Sequence, residues 1–220
     1  MPVAIKGTGG GSVTLTAGTA AADTTLTLPN TTGTVITSAT YPTASAIGQV
    51  PFSTDGSTFA ATQKIVQGTA QASTSGTSID FTSIPSWVKR ITVMLNGVST
   101  NGTSNILFQL GDSGGVETSG YLGSGSVVGA SSASSANFTT GFGITGAFAT
   151  YDYSGNLIIC LQDTATNTWT ANGFFGSSTL TATWFTSGKK ATSAILDRIR
   201  ITTVNGTDTF DAGSVNILYE

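Results

Sequence analysis

Residues 90–96 read Arg-Ile-Thr-Val-Met-Leu-Asn, and this alternation decides the fold class. It places Ile91, Val93 and Leu95 on one side of an extended chain, which is the period-two pattern of a half-buried β-strand. Similar patterns occur at residues 105–110, 156–162, 195–204 and 214–220, with weaker ones near 77–81, 137–147, 167–175 and 179–186. Because no segment has a helical period, the sequence predicts an all-β chain containing an antiparallel, jelly-roll-like β-sandwich.

The pattern changes near residue 64 and predicts two regions. Residues 64–220 hold most of the large apolar side chains and form the predicted sandwich, or head. Residues 1–63 have short alternating segments at 12–17, 24–28 and 33–37, and a strand, turn and strand across 48–59 with the turn at Asp55-Gly56. A flexible linker at 38–50 is an equal alternative. Since residues 1–63 contain few bulky apolar residues, we expect them to be a shaft or attachment region that is stabilised by other copies of the chain.

Composition excludes several classes of function. Charged residues make up 9% of the chain, against about 25% in ordinary globular proteins, and the net charge is −3. Nucleic-acid binding needs clustered Lys and Arg, so we expect no nucleic-acid partner. No apolar run approaches about 18 residues and the first residues lack a long apolar core, so neither a membrane span nor a secretion signal is expected. We therefore expect synthesis in a cytosol.

The chain has one cysteine and no histidine. Cys160 lies in the apolar run at 157–161, which predicts a buried free thiol. Without His or a second Cys, neither a zinc site nor a thiol dyad is expected, and we predict no metal and no cofactor. Trp87 follows Pro85-Ser86 at a strand start and is predicted to be core, whereas the neighbours Trp184 and Phe185 are predicted to divide between core and interface.

Residues 111–115, Gly-Asp-Ser-Gly-Gly, resemble the segment around the nucleophile of trypsin-like serine proteases. In that family a histidine takes the proton of the serine, and this chain has none. Glycine and aspartate are also turn formers, so we interpret the segment as a turn and predict that Ser113 is not a nucleophile.

Two segments carry a resemblance to a known class of proteins. Residues 5–17, Ile-Lys-Gly-Thr-Gly-Gly-Gly-Ser-Val-Thr-Leu-Thr-Ala, and residues 23–35, Asp-Thr-Thr-Leu-Thr-Leu-Pro-Asn-Thr-Thr-Gly-Thr-Val, resemble the starts of tailed-bacteriophage fibre proteins. Residues 204–220 resemble the last strands of phage fibre-tip and virion sandwich domains. Together they cover about a quarter of the chain, and the middle resembles nothing identified.

The resemblance implies a homotrimeric structural protein of the virion. Its N-terminal region would bind other virion proteins, and its head would contact a glycan or protein on the host surface. A tail fibre is the first hypothesis, and a capsid decoration or head fibre is the alternative. An enzyme is not expected.

Candidate ligand-binding residues come from the chemistry of sugar recognition, which combines aromatic faces with carboxylates and amides. Tyr151, Asp152 and Tyr153 offer this mixture beside a turn, and Trp169 follows a second predicted turn. For each aromatic residue, a place in the core is the alternative. Asp208 and Asp211 could suggest a glycan-cleaving carboxylate pair, but a strand-end turn or a calcium contact explains them equally well. Residues 123–126 and 130–135, rich in Gly, Ser and Ala, are predicted to be loops that are either flexible or packed closely against their neighbours.

Overall fold

The computed structural model describes residues 3–6, 12–15, 49–53, 59–63, 65–130 and 133–220. Within these ranges every regular element is a β-strand, and every strand pair is antiparallel. The chain divides into two compact units, Met1–Thr43 and Ala44–Glu220. The all-β prediction is confirmed, whereas the expected boundary at residues 63/64 stays a prediction.

The described N-terminal strands form two hairpin-like pairs. β1 (Val3–Lys6) pairs with β2 (Ser12–Leu15), and β3 (Gln49–Ser53) pairs with β4 (Phe59–Gln63). These pairs confirm the strand predicted within 12–17 and the first of the two strands predicted across 48–59, whereas the second strand begins only at Phe59, the last residue of that range, and continues to Gln63. The predicted strands at 24–28 and 33–37, the turn at 55–56 and the linker up to residue 48 lie outside the described residues.

Fourteen further strands build the head, here residues 65–220. In chain order they are β5 (Val66–Gln67), β6 (Gln71–Ala72), β7 (Ile79–Phe81), β8 (Arg90–Thr100), β9 (Ile106–Asp112), β10 (Gly115–Val116), β11 (Leu122–Gly129), β12 (Ala133–Phe138), β13 (Phe142–Ile144), β14 (Tyr153–Asp163), β15 (Thr168–Gly176), β16 (Ala182–Ala191), β17 (Arg198–Thr203) and β18 (Phe210–Tyr219). The larger sheet has the order β12-β11-β16-β15-β14-β8-β18-β5, with β6 also paired to β18. The smaller sheet has the order β10-β9-β17-β7, with β13 also paired to β9.

One apolar core joins the two sheets in a β-sandwich-like arrangement. The Phe108 ring on β9 stacks on the Phe175 ring on β15, with centroids 5.8 Å apart. Trp184 on β16 is fully buried, and its indole Nε1 donates to the carbonyl of Thr145 at 2.9 Å. The faces predicted from alternation are confirmed on β8, where Ile91 and Val93 are buried. The jelly-roll connectivity stays a prediction.

The prediction of loops at 123–126 and 130–135 is wrong over most of those residues, since β11 covers 123–126 and β12 covers 133–135. In β11, small side chains are required because the backbones of the two sheets approach each other closely. A Cβ on Gly125 would lie 2.5 Å from the carbonyl oxygen of Gly143, which belongs to the smaller sheet. The low-complexity composition of β11 therefore reflects tight packing between sheets.

Two predictions of burial are corrected. Trp87 is 45% exposed, because it lies in the β7–β8 connection outside both sheets, and its ring lies at 50° to that of Tyr219 with centroids 5.9 Å apart. Cys160 is only half-buried, since on β14 it alternates with the buried Leu157 and Ile159 and therefore points away from the core.

The Gly-Asp-Ser-Gly-Gly segment forms a turn, as predicted. Asp112 pairs with Gly115 across the two-residue connection of β9 and β10. The amide of Gly114 donates to the Asp112 carboxylate at 2.8 Å, and Ser113 is exposed at the turn.

The strands define two ends of the head. At the base, Val66 pairs with Tyr219, so the chain enters the head beside its last residue. At the opposite end, here the loop end, lie the loops 73–78, 101–105, 145–152, 177–181 and 204–209. Hydrogen bonds tie several of these loops together, among them Asn101 to Thr209 and Ala147 to Asn105.

Candidate ligand-binding site at the loop end

The four predicted ligand-binding residues do not form one cluster. Tyr151, Asp152 and Tyr153 lie at the loop end, where β14 begins. Trp169 lies near the base, where its backbone pairs with Leu161. The two groups are separated by about eight residues of extended strand, or roughly 25 Å.

Two of the predicted aromatic residues belong to the core. Tyr153 is 1% exposed and packs edge-to-face against Trp184 at 5.1 Å between centroids. Trp169 is 3% exposed, and its ring lines a cavity of about 110 Å³ at the base together with Leu161 and Leu196. Neither ring has a face available for stacking on a sugar at the surface. For these two residues the structure matches the core alternative.

Tyr151 is half-buried and connects the core to an exposed ring. Its centroid lies 6.1 Å from that of Trp184 on the inner side and 5.1 Å from that of Phe148 on the outer side. Phe148 is 52% exposed in the 145–152 loop. The exposed aromatic surface of this end therefore comes from Phe148, supported from below by Tyr151.

Asp152 holds two loops together. Its Oδ1 accepts from the Ser177 hydroxyl at 2.8 Å and from the amides of Ser178 and Thr179 at 2.9 and 3.1 Å. Its Oδ2 accepts from the Ser178 hydroxyl at 2.9 Å, and the Thr179 hydroxyl also donates to Oδ1. Partial burial alone would raise the pKa of Asp152, but the hydrogen bonds from Ser177, Ser178 and Thr179 lower it to about 2.

This bonding assigns Asp152 a positioning role. Five protein donors occupy its two oxygens, so little acceptor capacity remains for a ligand. The bonds instead fix the Ser178 and Thr179 hydroxyls, which keep lone pairs that can accept a hydrogen bond, whereas the Ser177 oxygen already accepts from the amides of Thr179 and Leu180. A shallow depression of about 410 Å³, lined by residues 176–183, lies at these hydroxyls.

Asp208 and Asp211 are engaged separately. Asp208 accepts from the Asn205 side chain at 2.6 Å and from the Ser104 amide at 2.9 Å, and these bonds lower its pKa. Asp211 accepts from the Ser99 hydroxyl. Each carboxylate thus stabilises its own turn or strand, as in the turn interpretation of this segment.

The loop end combines an exposed aromatic ring with hydroxyls held in place by Asp152, which are groups that can bind a polyhydroxyl ligand. An exposed aromatic ring can stack on the apolar face of a sugar, and fixed hydroxyls can bond to its hydroxyl groups. Sequence reasoning identified Tyr151 and Asp152 but missed Phe148, since a single aromatic residue in a loop belongs to no periodic pattern. The one available signal was its place in the small-residue segment Gly146–Ala147–Phe148–Ala149.

Among the residues that the structure describes, no group of three or more His, Cys, Asp and Glu side chains is arranged to hold a metal ion. The same residues include no helix that is long and apolar enough to cross a membrane. No protein-family model, curated protein or solved structure matches this chain significantly.

Proposed function

We propose that this chain is a non-enzymatic structural protein of a tailed-bacteriophage virion, a homotrimeric tail fibre whose head contacts the host surface. The observation that supports it best is that the two ends of the head differ. The chain enters at the base, where Val66 pairs with Tyr219, and the exposed Phe148 and the hydroxyls held by Asp152 lie at the other end. An appendage anchored through its N-terminal region needs this arrangement to present a binding surface outward.

Hydroxyl and aromatic chemistry at the loop end supports a glycan as the ligand class. Phe148 supplies the exposed ring, and Ser178 and Thr179 supply hydroxyls that Asp152 holds in place. Bacterial surface polysaccharides present hydroxyl-rich rings, which such groups can stack on and hydrogen-bond.

Adsorption tests the proposal. Purified full-length protein should compete with particles for the host strain on which they form plaques. Phe148→Ser should weaken this competition by about thirtyfold or more, as expected for loss of an aromatic anchor, with the melting temperature within a few degrees of the unmodified chain. Val204→Ser is the control, because Val204 is 54% exposed in a neighbouring loop and has no aromatic ring.

Location on the particle separates tail fibre from capsid decoration. Electron microscopy of particles labelled with an antibody to the head should mark the tail. Labelling of the capsid, or failure of the unmodified protein to compete, would contradict the proposal and favour the alternative of a head fibre or decoration protein. Full competition by Phe148→Ser would show that Phe148 is not part of the binding surface.

A further inference from the structure

The outward side of the larger sheet, here the outer face, carries continuous rows of apolar and amide side chains. Strand registers align Phe185, Phe174, Asn156 and Met94 in one row across β16, β15, β14 and β8. The next row runs through Ser187, Asn172, Ile158, Thr92 and Leu218. The outer face is therefore a surface of the sheet itself, with its side chains positioned by the hydrogen-bonded ladder.

Two phenylalanines stand out from this face. Phe174 is 58% exposed and Phe185 is 37% exposed, and their rings meet edge-to-face at 5.3 Å between centroids. Beside them lies a groove of about 230 Å³, whose polar lining includes Asn172, Ser124 and Ser187. A groove of this size can receive a large side chain from a partner.

Charge is absent from both rows, although the head contains charged residues elsewhere. On β17 of the smaller sheet, Arg200 makes a two-bond contact with Asp80 at 2.7 Å. Charged residues of the larger sheet lie outside these rows: Lys189 and Arg90 share a row nearer the base with Cys160, Asp163 lies beyond that row opposite Thr168, and the exposed Asp211 lies near the loop end of β18. Interface centres are typically depleted of charge and enriched in aromatic residues, which is the composition of these rows.

The dimensions fit an interface between proteins. The outer face is seven strand spacings of about 4.8 Å wide and roughly 23 Å long, so its area is about 800 Å². This is the area that each partner contributes to a stable interface of about 1,600 Å². A single sugar would cover only a small part of it.

We propose that the outer face packs against a second copy of this chain, with Phe174 and Phe185 at the centre of the contact. This inference rests on the homotrimer in the proposed function and assigns a surface to it. The three copies of a homotrimer can bring their outer faces together around the threefold axis, where the neutral amides and hydroxyls of one copy meet those of the next and no copy brings a repelling charge.

The test compares oligomeric state in two full-length variants. Phe174→Lys puts a charge at the centre of the outer face on a side chain that is already largely exposed, so the fold should be retained. Val204→Lys adds the same charge at an equally exposed position in a loop. Analytical ultracentrifugation should show a dissociation constant raised about thirtyfold or more by Phe174→Lys and unchanged by Val204→Lys.

Cys160 supplies a second readout, because it is the only cysteine in the chain and lies on the outer face. With Ellman's reagent, its thiol should react more slowly in the assembled protein than in Phe174→Lys. An oligomer whose mass and thiol reactivity do not respond to Phe174→Lys would overturn the inference and leave the homotrimer standing. A monomeric unmodified chain would overturn both, while host binding would still be decided separately by adsorption.

Discussion

At the residue scale, two aspartates that accept several hydrogen bonds connect segments of the head that are distant in sequence. Asp152 joins the 145–152 and 177–181 loops, and Asp112 accepts from the Ser193 hydroxyl at 2.5 Å and from the Ala194 amide at 2.7 Å. The bond from Ser193, followed by that from Gly114, lowers the pKa of Asp112. In a chain with so few charges, buried or bonded carboxylates thus organise loops at both ends of the head.

Acid should weaken the loop end through Asp152. Its folded pKa of about 2 lies below its ordinary value of 3.8, so its contribution to stability is present at neutral pH and is lost as the pH falls from about 4 to about 2. We expect Asp152→Asn to lower the free energy of unfolding by about 1–2 kcal/mol at pH 7, and the difference from the unmodified chain to shrink towards pH 2. Denaturant unfolding at several pH values measures this.

The control for this prediction is Asp211→Asn, which removes an exposed carboxylate whose described partner is Ser99. It should change stability by less than about 0.5 kcal/mol. A gap between Asp152→Asn and the unmodified chain that stayed constant down to pH 2 would show that the carboxylate is not the group that titrates.

At the scale of the element, the strands in which large apolar residues alternate with other residues could be predicted from the sequence, and the strands built from small residues could not. The patterns at 90–96 and 156–162 identified β8 and β14 because their large apolar residues face a core. β11 and β12 gave no such signal, since Gly125 must leave room for the other sheet and β12 places mostly exposed small residues at a sheet edge. Such constraints come from neighbouring strands, so the sequence of the strand itself does not predict them.

The candidate site, too, could be predicted only in part from the local sequence. The mixture of Tyr151 and Asp152 correctly indicated a loop region, but the strand register decides which aromatic rings are exposed. Tyr153 is the first residue of β14 and faces the core, whereas Phe148 lies in the preceding loop and faces outward. A shift of one residue along a strand would exchange the faces, and composition alone does not set this register.

The close approach at Gly125 gives a test of packing between the sheets. Gly125→Val should destabilise the head by about 2 kcal/mol or more, because its side chain would press on the Gly143 carbonyl and the Phe138 ring. Gly176→Val is the matched control, because a Cβ on Gly176 would meet no other atom within 4 Å, and the cost should stay within about 0.5 kcal/mol. Thermal unfolding compares the two, and equal melting temperatures would show that the sheets can separate at this point without cost.

At the scale of the whole molecule, the proposal divides the work between two regions. Residues 1–63 are predicted to supply the tighter association, because their short strands have few bulky apolar residues to form a core within one chain. A fragment of residues 64–220 should therefore associate more weakly than the full chain in native mass spectrometry. An unchanged, tight trimer of the fragment would show that the head alone drives assembly.

The pairing at the base has a mechanical consequence. β5 and β6 run from the base towards the loop end along β18, with Val66 opposite Tyr219 and Gln71 opposite Val215. If a tether pulls on residue 65 while the loop end grips a surface, the load runs along these strands. Their hydrogen bonds, including those from the amides of Gly68 and Ser73 to β18, are then strained together in shear and do not peel apart one after another. We therefore expect β5 and β6 to resist a pull on residue 65 directed away from the loop end.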